Sequence, residues 1–440
     1  MGSYIPSSPQ EQQEMLRAAG FSGFDALYAD LPPQLRLAPG ALDLPAGLSE
    51  LEMRAQMERL AGQNTVFPHL FRGAGAYRHY IPAIVQSVVG KEEFVTAYTP
   101  YQAEISQGIL QSIFEYQTMI CELTGMEASN ASVYDGATAA AEALAMCKER
   151  GRTVALVSAA AQPQVRSVLA AYCFGSGMEL RLIPEREGRT DLDALAGLLG
   201  SSVACVYLQQ PNFYGCLEDC ARAAELAHGA GAKLILGCNP ISLALLKSPG
   251  EYGADVAVGE GQPLGLPLAF GGPYLGFMAT TKALMRRLPG RIVGQTADAD
   301  GKRAYVLTLQ AREQHIRREK ASSNICSTQA LCAMTAAAYL SAMGAEGLTR
   351  VAQHCMANAR LLEAALAGAG YSRKHAGPYF HEFVTTCPVP AAQALRALEA
   401  QGYLGGLPVG ENELLWCATE LNTPEEIETL AAILKEVGKA

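Results

Sequence analysis

Asp135-Gly136-Ala137-Thr138 runs directly into an alanine-rich stretch, Ala139 to Cys147, with the composition of a buried helix. Free backbone amides at a helix start can seat a phosphate, or they can simply close a tight turn. Three other segments concentrate polar and aromatic groups. Tyr98-Thr99-Pro100-Tyr101-Gln102-Ala103-Glu104 is a proline-bent turn ahead of a helix, and Phe71 to Pro82 is similarly dense. His315 to Cys326 packs charge and small hydroxyls, among them Glu319, Ser322, Ser323 and Asn324, just before a buried helix. Each taken alone reads as a solvated loop.

A phosphate seat in an α/β chain raises pyridoxal phosphate chemistry, which needs a Schiff-base lysine after a late strand. The segment in that place is Gly253 to Pro267, continuing to Phe270-Gly271-Gly272-Pro273, and no lysine occurs from Ser248 through Thr281. Such an enzyme also holds a carboxylate against the pyridinium nitrogen and a ring stacked on the cofactor. Leu234 to Pro240 supplies no carboxylate, and Ala159-Ala160-Ala161-Gln162-Pro163 supplies no ring. Either the likeness is accidental, or the chain has this architecture and depends on a partner that holds the cofactor. A self-sufficient enzyme would have to recruit a lysine such as Lys247 or Lys282.

Composition excludes other classes. The chain has 440 residues, enough for two or three domains with a large core. Its 34 Lys and Arg against 43 Asp and Glu give a formal net charge of -9 without a basic cluster, which argues against nucleic acid. Twelve scattered cysteines and an N-terminus without signal-peptide character point to a reduced, cytoplasmic setting. Cys216 and Cys220 lack a second Cys or His pair, so no metal is expected. Gly73-Ala74-Gly75, followed by Arg78, has no third glycine and no preceding strand, which speaks against a dinucleotide loop. The uncharged run Ile325 to Gly344 carries Ser, Thr and Gln with alanine between them, and reads as a buried helix of a chain without membrane spans.

The pattern along the chain predicts a helical N-terminal arm over 1–64, with capping boxes at Ser8-Pro9-Gln10-Glu11 and Ser49-Glu50-Leu51-Glu52. Over 65–326 a large α/β domain is expected. Thr153 to Val157, Met178 to Ile183, Val203 to Leu208, Lys233 to Leu236, Asp255 to Val258 and Tyr274 to Ala279 are its strands, in a mainly parallel sheet covered on both faces. Residues 327–440 read as a linking helix, Ser327 to Met343, then a small C-terminal α+β domain. There Tyr379 to Thr386 and Leu414 to Ala418 are strands, Ala391 to Gln401 is a helix, and Thr423-Pro424-Glu425-Glu426 caps the last helix.

The three polar segments, together with Gly259-Glu260-Gly261-Gln262-Pro263 and Phe270-Gly271-Gly272-Pro273, resemble the glycine cleavage system P-protein, glycine dehydrogenase (decarboxylating). The likeness is to the N-terminal-half chain, subunit 1, of the split form, and it spans essentially the whole chain. It implies the type I pyridoxal phosphate-dependent transferase fold. It further implies that subunit 2 carries the cofactor lysine and holds pyridoxal phosphate, so that the lysine-free loop at Gln262 is expected. Glycine would be decarboxylated and its aminomethyl group passed to the lipoyl arm of the H-protein, by an enzyme active only with both subunits and built as an α2β2 heterotetramer.

On that resemblance Tyr98, Tyr101 and Glu104 are the first candidates to face the partner's cofactor, because phenols can orient a small carboxylate. Glu319, Ser322, Ser323 and Asn324 are the second, as a loop over the pocket mouth. Family members commonly carry histidine where Gln162 stands, a departure that weakens any vestigial cofactor site. The competing reading is a non-catalytic subunit that only stabilises subunit 2 or docks the H-protein.

Overall fold

The computed structural model describes residues 6–38, 40–95, 98–321, 323–326 and 328–438, and two of the predicted positions, Ser322 and Ser327, lie outside them. The chain divides into two compact units, Met1–Val66 and Phe67–Ala440. In the first, Pro9–Ala18 and Glu50–Ala61 are helices, and both predicted capping boxes form. Ser8 and Ser49 accept from the amides of Glu11 and Glu52, whose carboxylates accept in return from the amides of the two serines.

The second unit is built on a seven-stranded sheet. Its strands, in spatial order, are Ala128–Ser129, Gly276–Thr280, Val256–Glu260, Lys233–Cys238, Val203–Gln210, Val154–Ser158 and Glu179–Ile183. From Val256–Glu260 to Glu179–Ile183 all pairings are parallel; only Gly276–Thr280 runs against its neighbours. The six long strands are those the apolar runs predict, shifted by one or two residues at their ends.

Side chains alternate between the two faces. Ala155, Val157, Tyr207 and Val258 pack under the helices Gly136–Cys147 and Pro163–Ser176. Leu156, Val206, Leu208 and Leu236 pack on the opposite face with Leu195 and with Ala223 and Ala227 of the helix Cys220–Gly229. Coverage on both faces is why these strands read as unbroken apolar runs.

The helix expected over Ser327 to Met343 begins at Ala330 in the structure and continues to Gly368. Gly344 interrupts it with φ 60°, a conformation open to glycine, after which the helix resumes and carries the chain into the small domain. Among the described residues no helix is long and apolar enough to cross a membrane.

The C-terminal sheet is four-stranded and antiparallel, in the order Ser372–Arg373, Glu382–Thr386, Glu413–Cys417 and Leu407–Gly410. It packs on Ala391–Glu399 and Pro424–Val437 around Trp416, Tyr371 and Phe383. His69–Leu70 pairs in parallel with Tyr403–Leu404, and Arg72 donates to the carbonyls of Gly405 and Gly406. A strand does therefore precede Gly73, contrary to the sequence reading. It is only two residues long and feeds no helix directly, so no dinucleotide loop results.

Candidate functional site

Where the parallel strands end, the loops leave a cavity of about 610 Å³. Gln209 and Pro211, Cys238 to Pro240, and Glu260 line it from three adjacent strand ends, the place where open α/β sheets bind ligands. Gly73 to Tyr77 and the pair His381 and Glu382 close it from the small-domain side, and Gly271 to Tyr274 from another.

The start of the helix Gly136–Cys147 opens into this cavity, and two of its first amides are already engaged by carboxylates. Asp135 Oδ1 accepts from the Thr138 amide at 2.7 Å, and Glu260 Oε2 accepts from the Gly136 amide at 2.9 Å. Gly136 is required for that approach, since a Cβ there would lie 2.8 Å from the Glu260 nitrogen. Glu260 Oε1 accepts from Gln262 and Leu275, both at 2.9 Å. Protein packed around this carboxyl raises its pKa to about 7, although three amide donors oppose the rise and Asp135 adds to it.

Across the cavity Glu382 is buried within its strand. Its Oε1 accepts from the Ala74 amide at 2.7 Å and its Oε2 from the Tyr77 hydroxyl at 2.7 Å. Burial pushes this carboxyl up to about 7 and raises the Tyr77 phenol as well, with the charge of Glu382 adding to the latter. His381, only 2% exposed, is held well below the usual histidine range by burial, and its Nδ1 has no hydrogen-bond partner.

Gln262 sits in the lysine-free loop, fully buried. It accepts from the Tyr77 amide at 2.8 Å and donates to the carbonyls of Tyr77 and Leu266. Gln162 donates to the Ala74 carbonyl at 2.8 Å. Gly75, at φ +112°, lies so close that a Cβ would sit 2.2 Å from Gln162 Nε2.

These residues do not fit pyridoxal phosphate. Two carboxylates hold the helix start where a phosphate dianion would have to sit, and like charges there repel. No lysine is among the described lining residues, Cys238 at the end of the central strand and Asn239 after it stand in place of a carboxylate, and Gln162 is committed to the backbone.

Tyr98, Tyr101, Glu104, Glu319, Ser323 and Asn324 line none of this cavity. Tyr98 is 82% exposed, and Glu104, Glu319 and Asn324 are exposed. Tyr101 brings the two predicted segments together: its ring meets His315 edge-on at 5.9 Å, and its hydroxyl accepts from Arg291 at 3.3 Å. Ser323 is half-buried, accepts from the Ile325 amide and reaches Glu142.

The sequence reading missed Glu382, Tyr77 and His381 as cavity groups, and used Glu260 only as part of a motif. It also missed Glu420, which accepts from His79 Nδ1 at 2.8 Å, from the Tyr80 amide and from the Cys355 thiol. All twelve cysteines are free thiols; Cys216 and Cys220 are buried, and Cys220 donates to Gln210.

The family model "Glycine cleavage system P-protein" matches residues 2–434. A relative in Moorella thermoacetica named "Probable glycine dehydrogenase (decarboxylating) subunit 1" is 52% identical over 99% of each chain. One of the same name in Desulforamulus reducens is 49% identical over 99% of this chain and 100% of its own. A crystal structure described as glycine decarboxylase (P-protein) of the glycine cleavage system, in inhibitor-bound form, superposes with TM-score 0.93 at 46% identity, covering 99% of this chain and 100% of that one. An aspartate aminotransferase of Thermus thermophilus, at 17% identity and TM-score 0.59 over 84% of this chain and 99% of its own, shares the pyridoxal phosphate-dependent transferase fold. The chain belongs to the glycine cleavage system P-protein family.

Proposed function

We propose that this chain is one half of a glycine dehydrogenase (decarboxylating) whose other half, subunit 2, holds the pyridoxal phosphate. The observation that carries this reading is the Glu260 carboxylate on the Gly136 amide, which turns the chain's own cavity against a phosphate. The cofactor supplies the electron sink for decarboxylation, and it is the partner's to hold. Glycine loses carbon dioxide there, and the aminomethyl group passes to the lipoyl arm of the H-protein. Two copies of each chain form the assembly, in the cytoplasm.

This chain contributes a surface to the partner's pocket. Tyr98, Tyr101 and Glu104 form its first part, and Glu319, Ser322, Ser323 and Asn324 its second. What supports the placement is Arg291, which is 4% exposed, donates to Tyr101, and has an Nε without a hydrogen-bond partner. A guanidinium held behind an exposed phenol suits the carboxylate of a small amino acid.

The test is glycine-dependent exchange of carbon dioxide, measured for each chain alone and for the mixture. Exchange is expected only in the mixture. Full exchange by subunit 2 alone would reduce the present chain to a scaffold or a docking surface for the H-protein.

A further inference from the structure

The cavity that refuses a phosphate carries an unbalanced charge. Glu260, at a large-domain strand end, and Glu382, on a small-domain strand, both line it and Asp135 adds a third carboxylate, while its described lining residues include no lysine and no arginine. Apart from His381 and the buried Cys238 thiol, every titratable side chain among its described lining residues is a carboxyl or a phenol. Buried carboxylates without a counter-charge are costly, and a cation drawn from solution relieves that cost.

A metal ion is the wrong shape of cation for this site. Among the described residues the only gathering of three metal-ligand side chains within 4.8 Å is His79, Cys355 and Glu420, so the cavity carboxylates do not converge on one point. An extended cation can span them where an ion cannot. The Glu260 and Glu382 oxygens keep lone pairs beyond the donors they already accept.

His381 is a second, independent pointer to a ligand. It lines the cavity almost fully buried, and its Nδ1 has no partner. Its other nitrogen lies 4.0 Å from Glu382 Oε2 and gains from carrying the ring proton, which leaves Nδ1 as an acceptor. A protonated amine supplies the donor it lacks. Asn239 Nδ2, also without a partner, offers a donor to any neutral polar part of the same molecule.

We propose that this cavity binds a small aliphatic amine in its protonated form, held between Glu260 and Glu382 and donating to His381. The site belongs to this chain alone and needs neither cofactor nor partner. It is therefore tested on the purified full chain, independently of the decarboxylation reading.

The probes are 1,4-diaminobutane, butylamine and the neutral butane-1,4-diol, titrated calorimetrically. The diamine should bind most tightly, butylamine more weakly, and the diol not at all. Glu382→Gln and Glu260→Gln should each weaken the diamine by about 10-fold or more, in line with a charge-assisted hydrogen bond. Glu346→Gln, on the exposed face of the long helix, should leave it unchanged.

Should a cavity variant fail to fold, the wild-type chain still decides the matter. Diamine affinity should rise as pH rises through about 7, where Glu260 and Glu382 ionise while the amine stays charged. The groups facing them are Asp135, Tyr116 and Cys332 around Glu260, and Tyr77, His381 and Cys417 around Glu382. No binding of the diamine at millimolar concentration, equal binding of the diol, or an affinity indifferent to pH would overturn the proposal.

Discussion

The Tyr77 hydroxyl donates to Glu382 Oε2 at 2.7 Å, joining the loop that follows Phe71 to the first residue of a small-domain strand. The same loop is held at its backbone, where the Ala74 amide donates to Glu382 Oε1 and Gln262 bonds both the amide and the carbonyl of Tyr77. One buried carboxylate and one buried amide therefore fix the loop that closes the cavity.

Tyr77→Phe removes one of the two donors to Glu382 and keeps the ring that fills the space. A buried carboxylate left short of a donor costs about 1 to 3 kcal/mol, which should appear as a lower midpoint in urea with an unchanged slope. The loss should shrink as pH falls through about 7, where Glu382 takes up a proton. An unchanged midpoint at pH above this range would mean that water replaces the phenol.

Glu382 also sets a direction for stability against pH. Its folded-state pKa, about 7, lies above the ordinary glutamate value of 4.5, so between those values the folded chain keeps a proton that the unfolded chain releases. Its contribution to stability is fully present below the unfolded value and is lost as pH rises through about 7, a loss of roughly 3 kcal/mol. Tyr77, His381 and Cys417 face the group and are included in the comparison. Glu382→Gln should flatten this fall, because the Gln oxygen keeps the Ala74 amide and the Tyr77 hydroxyl can turn to accept. Denaturation of both proteins across the range measures it; parallel curves would exclude Glu382 as the source.

Much of the fold was legible because the central strands are buried on both faces and so read as apolar runs, as Val203–Gln210 does. The hairpin of Ile292–Ala297 with Arg303–Thr308 was not, because its first strand is apolar only at Ile292 and Val293 before turning polar and exposed, and the short run Ala304 to Leu307 on its own gives no strand signal as long as those of the central sheet. The kinked helix reads as ending at Met343 because sequence periodicity does not show that Gly344 turns the chain and lets the helix resume. Glu382 carried a signal that passed unread: a carboxylate within a predicted apolar strand must have partners, and these lie some 300 residues away at Ala74 and Tyr77. The missing lysine was visible, while the blocked phosphate seat was not, since the Glu260 and Gly136 contact joins a strand end to a helix start that only the folded sheet brings together.

That contact predicts that the isolated chain takes up no pyridoxal phosphate in a Schiff base. Borohydride reduction after incubation with the cofactor, followed by peptide mapping, should label no lysine specifically. A single labelled site, at Lys247, Lys282 or elsewhere, with a matching internal absorbance band, would contradict it. Scattered low-level labelling is the ordinary reaction of exposed amines with an aldehyde.

The exposed phenols give the sharpest test of where this chain meets the chemistry. Tyr98 presents its ring to solvent, while Tyr101 is steadied by His315 and takes a hydrogen bond from Arg291. Changing either to Phe deletes a hydroxyl and leaves the ring. If the hydroxyls orient substrate in the partner's pocket, glycine turnover by the mixed subunits should fall about 10-fold or more, equivalent to roughly 1.5 to 3 kcal/mol for a hydrogen bond to a charged group. Assembly with subunit 2, followed by sedimentation, should not change, because little buried surface is altered. Arg291→Lys should lower turnover alongside Tyr101→Phe, since a lysine cannot reproduce the guanidinium fork behind the phenol. Normal glycine kinetics in both tyrosine variants would move the contributed surface away from this turn and leave the loop of Glu319 and Asn324 as the remaining place to look.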